Sequence, residues 1–288
     1  MTDMAQPVST LALAGGALRG LLRGGGTGVF PDSELQADEV WLRREAIEAY
    51  AHVCGFHPNV GVPLTFPHIL AFPLQMRLML AADFPFPVMG LVHLSNRIRQ
   101  HAPLAPGERL ALSVRTGKLL AHDKGQAFSL ETMACRDGQV VWEGSSVYLR
   151  LGKAGSGGSA PAVDGAAAQT LVADWSLFSD LGRRYAKVSG DANPIHTSAL
   201  GARLFGFRRP IAHGMWVKAR AVAALTGERP IETGEVEVSF RAPVFLPSRI
   251  KLLASPDGPE RHFEIKDAEG ARTHLRGRLA LNSRDLSC

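Results

Sequence analysis

The residues best suited to acid–base chemistry lie in one short string in the second half of the chain. Residues 185–196 read Tyr-Ala-Lys-Val-Ser-Gly-Asp-Ala-Asn-Pro-Ile-His and include Asp191, Asn193 and His196. Asn193-Pro194 is a turn initiator, and the residue before a proline is biased away from the helical region. We expect the tight loop to bring the Asp191 carboxylate and the His196 imidazole towards one point. Such a pair can exchange protons with a bound water and a substrate carbon.

A second feature follows shortly after this string, where residues 212–215 read Ala-His-Gly-Met at the start of an aliphatic segment. The segment predicts a helix near residues 210–225. A backbone N–H in the first turn of a helix has no partner in that helix and carries the positive end of the dipole. The Gly214 N–H is therefore a candidate to polarise a carbonyl oxygen. His213, beside it, is interpreted as structural.

The two parts of the chain resemble each other, and each predicts a long helix followed by sequential strands. Residues 50–55, Tyr-Ala-His-Val-Cys-Gly, match residues 185–190, and the helix predicted near residues 67–82 matches the one near residues 210–225. Strand-like runs follow at residues 94–97 and 238–241. Further strands are predicted at residues 109–116, 127–135, 140–149, 249–254, 261–266 and 273–281. Sequential strands with short turns favour an antiparallel sheet packed on the helix, an α+β fold.

The clearest boundary is a segment rich in Gly, Ala, Ser and Pro at residues 152–169, which predicts a flexible linker. It divides the chain into an N-terminal lead (residues 1–30), a first unit (31–150), the linker (151–170) and a second unit (171–288).

The string Gly-Asp-Ala-Asn-Pro-Ile-His at residues 190–196, followed by Ala-His-Gly-Met, strongly resembles the MaoC-like, or hydratase 2, family of the hotdog superfold. The duplicated arrangement resembles the double-hotdog members, including the mycobacterial-type (R)-3-hydroxyacyl-thioester dehydratases. Residues 62–67, Val-Pro-Leu-Thr-Phe-Pro, and residues 83–90, Asp-Phe-Pro-Phe-Pro-Val-Met-Gly, are similar to segments of those proteins. The resemblance covers most of the chain beyond the N-terminal lead and implies two hotdog units, each a sheet wrapped around a helix.

The resemblance also implies a set of roles. Asp191 and His196 would be the catalytic pair, Asn193 would orient His196 or help to bind water, and the Gly214 N–H would polarise a thioester carbonyl. The reaction would be the reversible addition of water to a trans-2-enoyl thioester, which gives the (R)-3-hydroxyacyl form. The stereochemistry comes only with the family. A thioesterase and a non-catalytic acyl-thioester-binding protein are the alternatives; the intact Asp191 and His196 favour hydration.

The first half departs from this motif. When the shared Tyr and Gly are aligned, Phe56 stands in the place of Asp191 and Gly61 in the place of His196. Neither can transfer a proton, so we expect the first unit to be non-catalytic. Phe84 and Phe86 are candidates for the wall of an acyl-chain pocket, although core packing is the better explanation for either one alone.

Arg208 and Arg209, just before the second helix, are candidates to bind phosphates of the ligand, with surface solvation as the alternative. The expected partner is an acyl-CoA or an acylated acyl carrier protein. The sequence leaves open which of these it is, the acyl chain length, and whether the chain forms a homodimer.

Composition excludes several other classes. Apolar residues make up 45% and charged residues 20%, and the formal charge of +5 is not concentrated in runs, so we expect a folded protein without a nucleic-acid partner. The three cysteines form no CxxC pair, which favours a reducing, cytoplasmic location.

Residues 11–22 are apolar but lack a preceding basic segment, so neither a signal peptide nor a membrane span is expected. The histidines lack metal-ligand spacing, and residues 15–20 imitate a nucleotide loop only weakly, so no metal and no organic cofactor are expected.

Overall fold

The computed structural model describes residues 30–165 and 169–281. Apart from Phe30, the N-terminal lead lies outside the described residues, as do the glycine-containing segment at residues 15–20 and Cys288. Cys54 and Cys135 are both free thiols. Among the described residues, no helix has the length and apolar character needed to cross a bilayer.

The described chain forms two similar units in succession, each with two principal helices. The first unit contains β1 (Glu34–Trp41), α1 (Arg44–Cys54), a 3-10 turn (Pro58–Val60), α2 (Phe66–Met79), β2 (Leu91–Gln100), β3 (Arg109–His122), β4 (Gly125–Arg136) and β5 (Gln139–Leu151). The short β6 (Gly158–Ser159) follows. The second unit contains β7 (Thr170–Leu177), α3 (Leu181–Ser189), α4 (Pro194–Thr197), α5 (Ala199–Leu204), α6 (Gly214–Thr226), β8 (Gly234–Phe240), β9 (Ser248–Ala254), β10 (Glu260–Asp267) and β11 (Thr273–Leu281).

The strands of both units join in a single sheet in the order β1-β3-β4-β5-β2-β8-β11-β10-β9-β7. The order within the first unit is mirrored in the second, so that β2 and β8 are equivalent strands that pair with each other at the centre. Every neighbouring pair along this order is antiparallel. The strands predicted from the sequence are present, and the predicted α+β architecture is confirmed.

The pairing of β2 with β8 forms the seam between the units. Ser95 lies opposite Ser239, and the ladder continues to Gln100 opposite Gly234. The Gln100 side chain donates to the carbonyl oxygen of Ile231 at 2.6 Å, which fixes the end of the ladder. Because the two strands pair with each other, neither unit has an unpaired strand edge at the seam.

A buried lysine reinforces the seam. Lys218 on α6 is fully buried, and its Nζ donates to the Asn96 carbonyl oxygen at 3.1 Å, to the Asn96 side-chain oxygen, and to the Val236 carbonyl oxygen at 3.2 Å. Burial holds the pKa of Lys218 well below its usual range. The three oxygen acceptors offset the cost of removing this polar group from water. Lys218 therefore ties the second unit's helix to strands of both units.

The two long helices form the core because they are apolar on nearly every side. Most residues of α2 and α6 are buried, including Phe66 in the first and Val222 in the second. The α6 helix begins at Gly214, four residues later than predicted near residue 210. The reason is that the preceding segment runs extended: the Ala212 N–H donates to Val244.

Two features of the sheet were not predicted. The outer strands β1 and β7 occupy its two edges. Part of the predicted linker is also bound to the sheet: β6 pairs in parallel with β3, and the Val163 N–H donates to Ser239 Oγ at 2.8 Å. The two linker contacts were not predicted because this segment has small residues and no apolar periodicity. Backbone hydrogen bonds form without large apolar side chains, so they leave no such pattern in the sequence.

We predict that residues 170–288 expressed alone self-associate and are poorly active, although they carry every proposed catalytic residue. Separation exposes the backbone of β8 and removes the Asn96 acceptors from Lys218. Size-exclusion chromatography measures the association. Co-expression with residues 30–165 is the control and is expected to restore a soluble, active complex. A monomeric, fully active second unit would contradict the prediction.

Candidate active site

The loop after α3 turns sharply and is held by its own side chains. Gly190 ends α3 with a left-handed φ of 75°, and its N–H donates to the carbonyl oxygen of Ala186. Asp191 Oδ1 then accepts from the Asn193 N–H at 3.2 Å. Asn193 Oδ1 in turn accepts from the Ile195 N–H at 3.2 Å and so caps α4. Asn193 thus sets the start of the short helix that carries His196.

The orientation of His196 is set by a backbone carbonyl. His196 Nδ1 lies 2.9 Å from the carbonyl oxygen of Ile211. A carbonyl oxygen only accepts, so Nδ1 carries the hydrogen and Nε2 keeps its lone pair. Burial lowers the pKa of His196 below its usual value, while the charge of Asp191 partly opposes that shift. His196 is therefore a neutral imidazole at pH 7, with one nitrogen ready to accept a proton.

His213, which was interpreted from the sequence as structural, lies in the same cluster. Its ring stacks on that of His196 at a centroid distance of 3.8 Å, and its Nε2 donates to the Asp191 carbonyl oxygen at 3.0 Å. Burial lowers the pKa of His213 to about 3. The contact of 3.8 Å between His213 Nε2 and the Asp191 carboxylate is thus not an ion pair at neutral pH. His213 holds the loop backbone and one face of His196.

The three side chains converge closely enough to share one small ligand. A carboxylate oxygen of Asp191 and one nitrogen each from His196 and His213 lie within 4.8 Å of one another. One water molecule can hydrogen-bond to groups separated by this distance. These are also residue types that bind metals. The sequence predicted that Asp191 and His196 would meet, but not that His213 would join them.

The directions of the lone pairs fit proton transfer better than metal binding. His196 Nδ1 and His213 Nε2 are committed to carbonyl oxygens, which leaves the lone pairs of His196 Nε2 and His213 Nδ1. The two rings are stacked with a centroid distance of 3.8 Å and an interplanar angle of 28°, so an ion at bonding distance in the plane of one ring lies out of the plane of the other. An imidazole binds a metal through its in-plane lone pair.

Gly214 is the first residue of α6, directly after His213 at the N-cap. Its N–H is in the first turn and has the helix dipole behind it. The ring of Phe240 covers this position: a Cβ on Gly214 would lie 2.8 Å from the Phe240 ring. Glycine is required here because the backbone and an aromatic ring approach each other without room for a side chain.

A row of aromatic rings runs from Gly214 into the first unit, beginning with Phe240 of the second unit. Phe240 lies 4.8 Å from His93, and His93 stacks on Tyr148 at 4.6 Å. His93 Nε2 is buried without a hydrogen-bond partner, and burial lowers the pKa of His93 to about 3. Nothing in the sequence spacing pointed to His93 or Tyr148, because only the pairing of β2 with β8 brings them to the second unit.

The structure places the two predicted acyl-pocket phenylalanines further along the same row. Phe84 and Phe86 lie 5.3 and 5.1 Å from Phe128, and Phe128 lies 5.7 Å from Tyr148. They therefore belong to the core of the first unit and connect with Gly214 only through intervening rings. Their assignment to a substrate pocket stays a proposal.

Arg208 and Arg209 are exposed and are not part of the buried cluster. Arg208 lies over the ring of Phe245 at 4.7 Å, and Arg209 at 5.7 Å from the same ring also donates to the Pro247 carbonyl oxygen. In the first unit, the position that matches Asp191 is filled by Phe56, which is buried and stacks on Tyr50 at 6.3 Å. An apolar side chain thus fills the equivalent loop.

Comparison with known proteins identifies relatives over nearly the whole chain. Residues 167–277 match the MaoC like domain family. The 3-hydroxyacyl-thioester dehydratase X of Mycobacterium tuberculosis is 33% identical over 266 residues, covering 90% of this chain and 92% of that protein. The crystal structure of HtdX from the same organism superposes with a TM-score of 0.76 at 30% identity, covering 87% of this chain and all of that one.

A more distant structural neighbour supports the fold. A Mycobacterium tuberculosis protein described as having a double hotdog fold superposes with a TM-score of 0.59 at 15% identity, covering 90% of this chain and 99% of that one. Together with the sheet order, this confirms the prediction of a double hotdog.

We predict that Gly214→Ala lowers turnover by about 10²-fold, because a displacement near 1 Å in a positioned group costs about that much. The added methyl group meets the Phe240 ring and moves either the ring or the start of α6. Steady-state kinetics measure the loss. Gly214→Ala combined with Phe240→Leu removes the clash and is expected to recover much of the rate, with Phe240→Leu alone as the control. Wild-type turnover in Gly214→Ala would contradict the prediction.

Proposed function

Since the chain belongs to the MaoC-like dehydratase family, we propose that it catalyses the reversible hydration of trans-2-enoyl thioesters to (R)-3-hydroxyacyl thioesters. It is thus a hydro-lyase. The observation that carries the proposal is the convergence of Asp191 and the neutral His196 beside the helix start at Gly214. The relative named 3-hydroxyacyl-thioester dehydratase supports it. Fatty-acid metabolism and a cytoplasmic location are the expected setting.

The geometry suits each step of the reaction. The Gly214 N–H donates to the thioester carbonyl oxygen and draws electron density from C3. Asp191 and His196 hold the water between them, so that its oxygen attacks C3 while one of the pair removes its proton. The enolate that forms is stabilised at the same N–H, and the proton that the pair removed from the water is delivered to C2. The atoms of one water are added in total, and dehydration is the reverse.

The remaining assignments extend this proposal to the whole chain. The thioester itself activates C3, so the reaction requires neither a metal nor an organic cofactor. The first unit supplies structure and rings such as His93 and Tyr148 rather than a second site, so each chain binds one acyl thioester. We assign the end of the acyl chain to the row of rings that includes Phe84 and Phe86, and the phosphates of the carrier to the exposed Arg208 and Arg209.

We predict that Asp191→Asn and His196→Ala each lower kcat by about 10²–10⁴-fold, the usual contribution of one proton-transfer group. The loss of absorbance of an enoyl-CoA during hydration measures the rate. The circular dichroism spectrum is expected to be unchanged, because neither side chain is part of the packed core.

Matched controls are available on the surface of the first unit. Asp123 in a strand turn and His52 on α1 are both exposed. Asp123→Asn and His52→Ala are expected to retain wild-type rates. Near-normal turnover in Asp191→Asn or in His196→Ala would rule out the assignment of that residue.

The pH dependence follows from the state of His196. Burial lowers its pKa below 6.5, and protonated His196 cannot accept a proton, so activity is expected to decline only as the pH falls through this lowered value. We predict that the acidic limb of kcat/KM for hydration has its midpoint below pH 6.5, the ordinary value for an imidazole. The pH–rate profile of the wild-type protein measures this, and a limb centred above pH 6.5 would contradict it.

A further inference from the structure

The chain between His196 and Ile211 leaves the site and returns to it. The Ile211 N–H donates to the Ile195 carbonyl oxygen at 3.1 Å, and the Ile211 carbonyl oxygen accepts from His196 Nδ1 at 2.9 Å. We call residues 197–210 the excursion. Its two ends are held together by the hydrogen bonds of Ile211 to Ile195 and to the proposed catalytic histidine. Anything bound on the excursion lies beside the active site.

One side of the excursion is anchored to the protein. Ala202 on α5 is fully buried, and a Cβ on Gly201 would lie 2.4 Å from Pro194. The Phe207 N–H donates to the Ala202 carbonyl oxygen at 2.9 Å and closes the end of the helix. The inner face of α5 is thus fixed in position, so its outer face is a defined surface.

The outer face is apolar and open to solvent. Leu200 and Leu204 are 69% and 75% exposed, and the adjacent Phe205 is 38% exposed. Residues four apart on a helix share one face, so the two leucines form a continuous surface with the phenylalanine. We call these three residues the apolar patch. Exposed apolar side chains grouped on one short segment are typical of surfaces that contact another molecule.

The charged residues of the excursion are all arginines. Arg203, Arg208 and Arg209 are exposed on the excursion, and none of them forms an ion pair with a described carboxylate. No Asp or Glu occurs between Asp191 and Glu228 in the sequence. By contrast, Arg97 and Arg278 on the sheet are each paired with Glu235.

This combination selects among the candidate partners. Two copies of the patch facing each other would oppose arginine to arginine in a chain whose formal charge is +5, which is unfavourable. Coenzyme A offers phosphates for the arginines but no large apolar surface for Leu200 and Leu204. An acidic protein with apolar residues among its carboxylates satisfies both parts of the surface.

We propose that the apolar patch and its arginines bind an acidic acyl carrier protein, which delivers its thioester arm past α4 to His196. This inference rests on the proposed function, since it names the carrier of the substrate for the same site. It predicts that the protein distinguishes an acyl chain attached to an acyl carrier protein from the same acyl chain attached to coenzyme A.

The test compares one trans-2-enoyl chain carried on a bacterial acyl carrier protein and on coenzyme A. Leu204→Glu and Arg203→Glu are expected to lower kcat/KM for the carrier-protein substrate at least tenfold, chiefly through KM, and to leave kcat/KM for the coenzyme A substrate unchanged. Wild-type kcat/KM for the carrier-protein substrate is expected to fall with added salt more steeply than for coenzyme A. Leu151→Glu at the end of β5 and Lys153→Glu just after it, both at exposed positions, are the matched controls and are expected to change neither.

The other outcomes are distinguishable. Equal losses on both substrates would show that the patch only supports the loop, and no loss on either would show that nothing docks there; each overturns the inference and leaves the proposed function intact. Sedimentation that shows Leu204→Glu converting a dimer to a monomer would assign the patch to a second copy and also overturn it. A wild-type protein that hydrates neither thioester would instead remove the proposed function itself.

Discussion

The antiparallel pairing of β2 with β8 is the interaction on which the rest of this structure depends. It joins eleven strands into one sheet, and it brings Asn96 to the buried Nζ of Lys218. It also sets His93 against Phe240, whose ring covers the backbone of Gly214. A site that lies within the second unit by sequence is thereby enclosed by side chains of the first.

Burial determines the chemistry of this enclosed site. Desolvation disfavours the charged form of an imidazole, so it lowers the pKa of His196 and brings the pKa of His213 to about 3. Both rings are therefore neutral at pH 7, and their hydrogen bonds to backbone carbonyls decide which nitrogens keep a lone pair. His196 Nε2 keeps its lone pair, and a lone pair on the base is what transfer of a proton from water requires. The same low polarity strengthens the interaction of the Gly214 N–H with a developing negative charge.

Much of the architecture could be predicted because it depends on patterns among residues that are close together in the sequence. The strands of each unit, the two long apolar helices and the tight turn at Asp191 and Asn193 follow from periodicity and turn chemistry. The repeat was visible because both first helices end in Tyr-x-x-x-x-Gly, and both glycines, Gly55 and Gly190, adopt a left-handed φ at the helix end.

The remainder depends on contacts between residues far apart in the sequence. His213 is 22 positions from Asp191, and its place against His196 depends on where the excursion returns. The row from Phe240 through His93 to Tyr148 exists only once β2 and β8 are paired, and no spacing encodes it. The edge strands β1 and β7 and the anchored part of the linker were missed because backbone pairing tolerates sequences with little apolar alternation.

The central claim is that this site adds water to carbon and leaves the thioester bond intact. The most direct measurement is mass spectrometry of the products formed from an enoyl-CoA in water labelled with oxygen-18. The account predicts an intact 3-hydroxyacyl-CoA that carries one labelled oxygen on C3, formed by the wild-type protein and not by Asp191→Asn. Free coenzyme A with labelled oxygen in a carboxylate, or no incorporation at all, would contradict it.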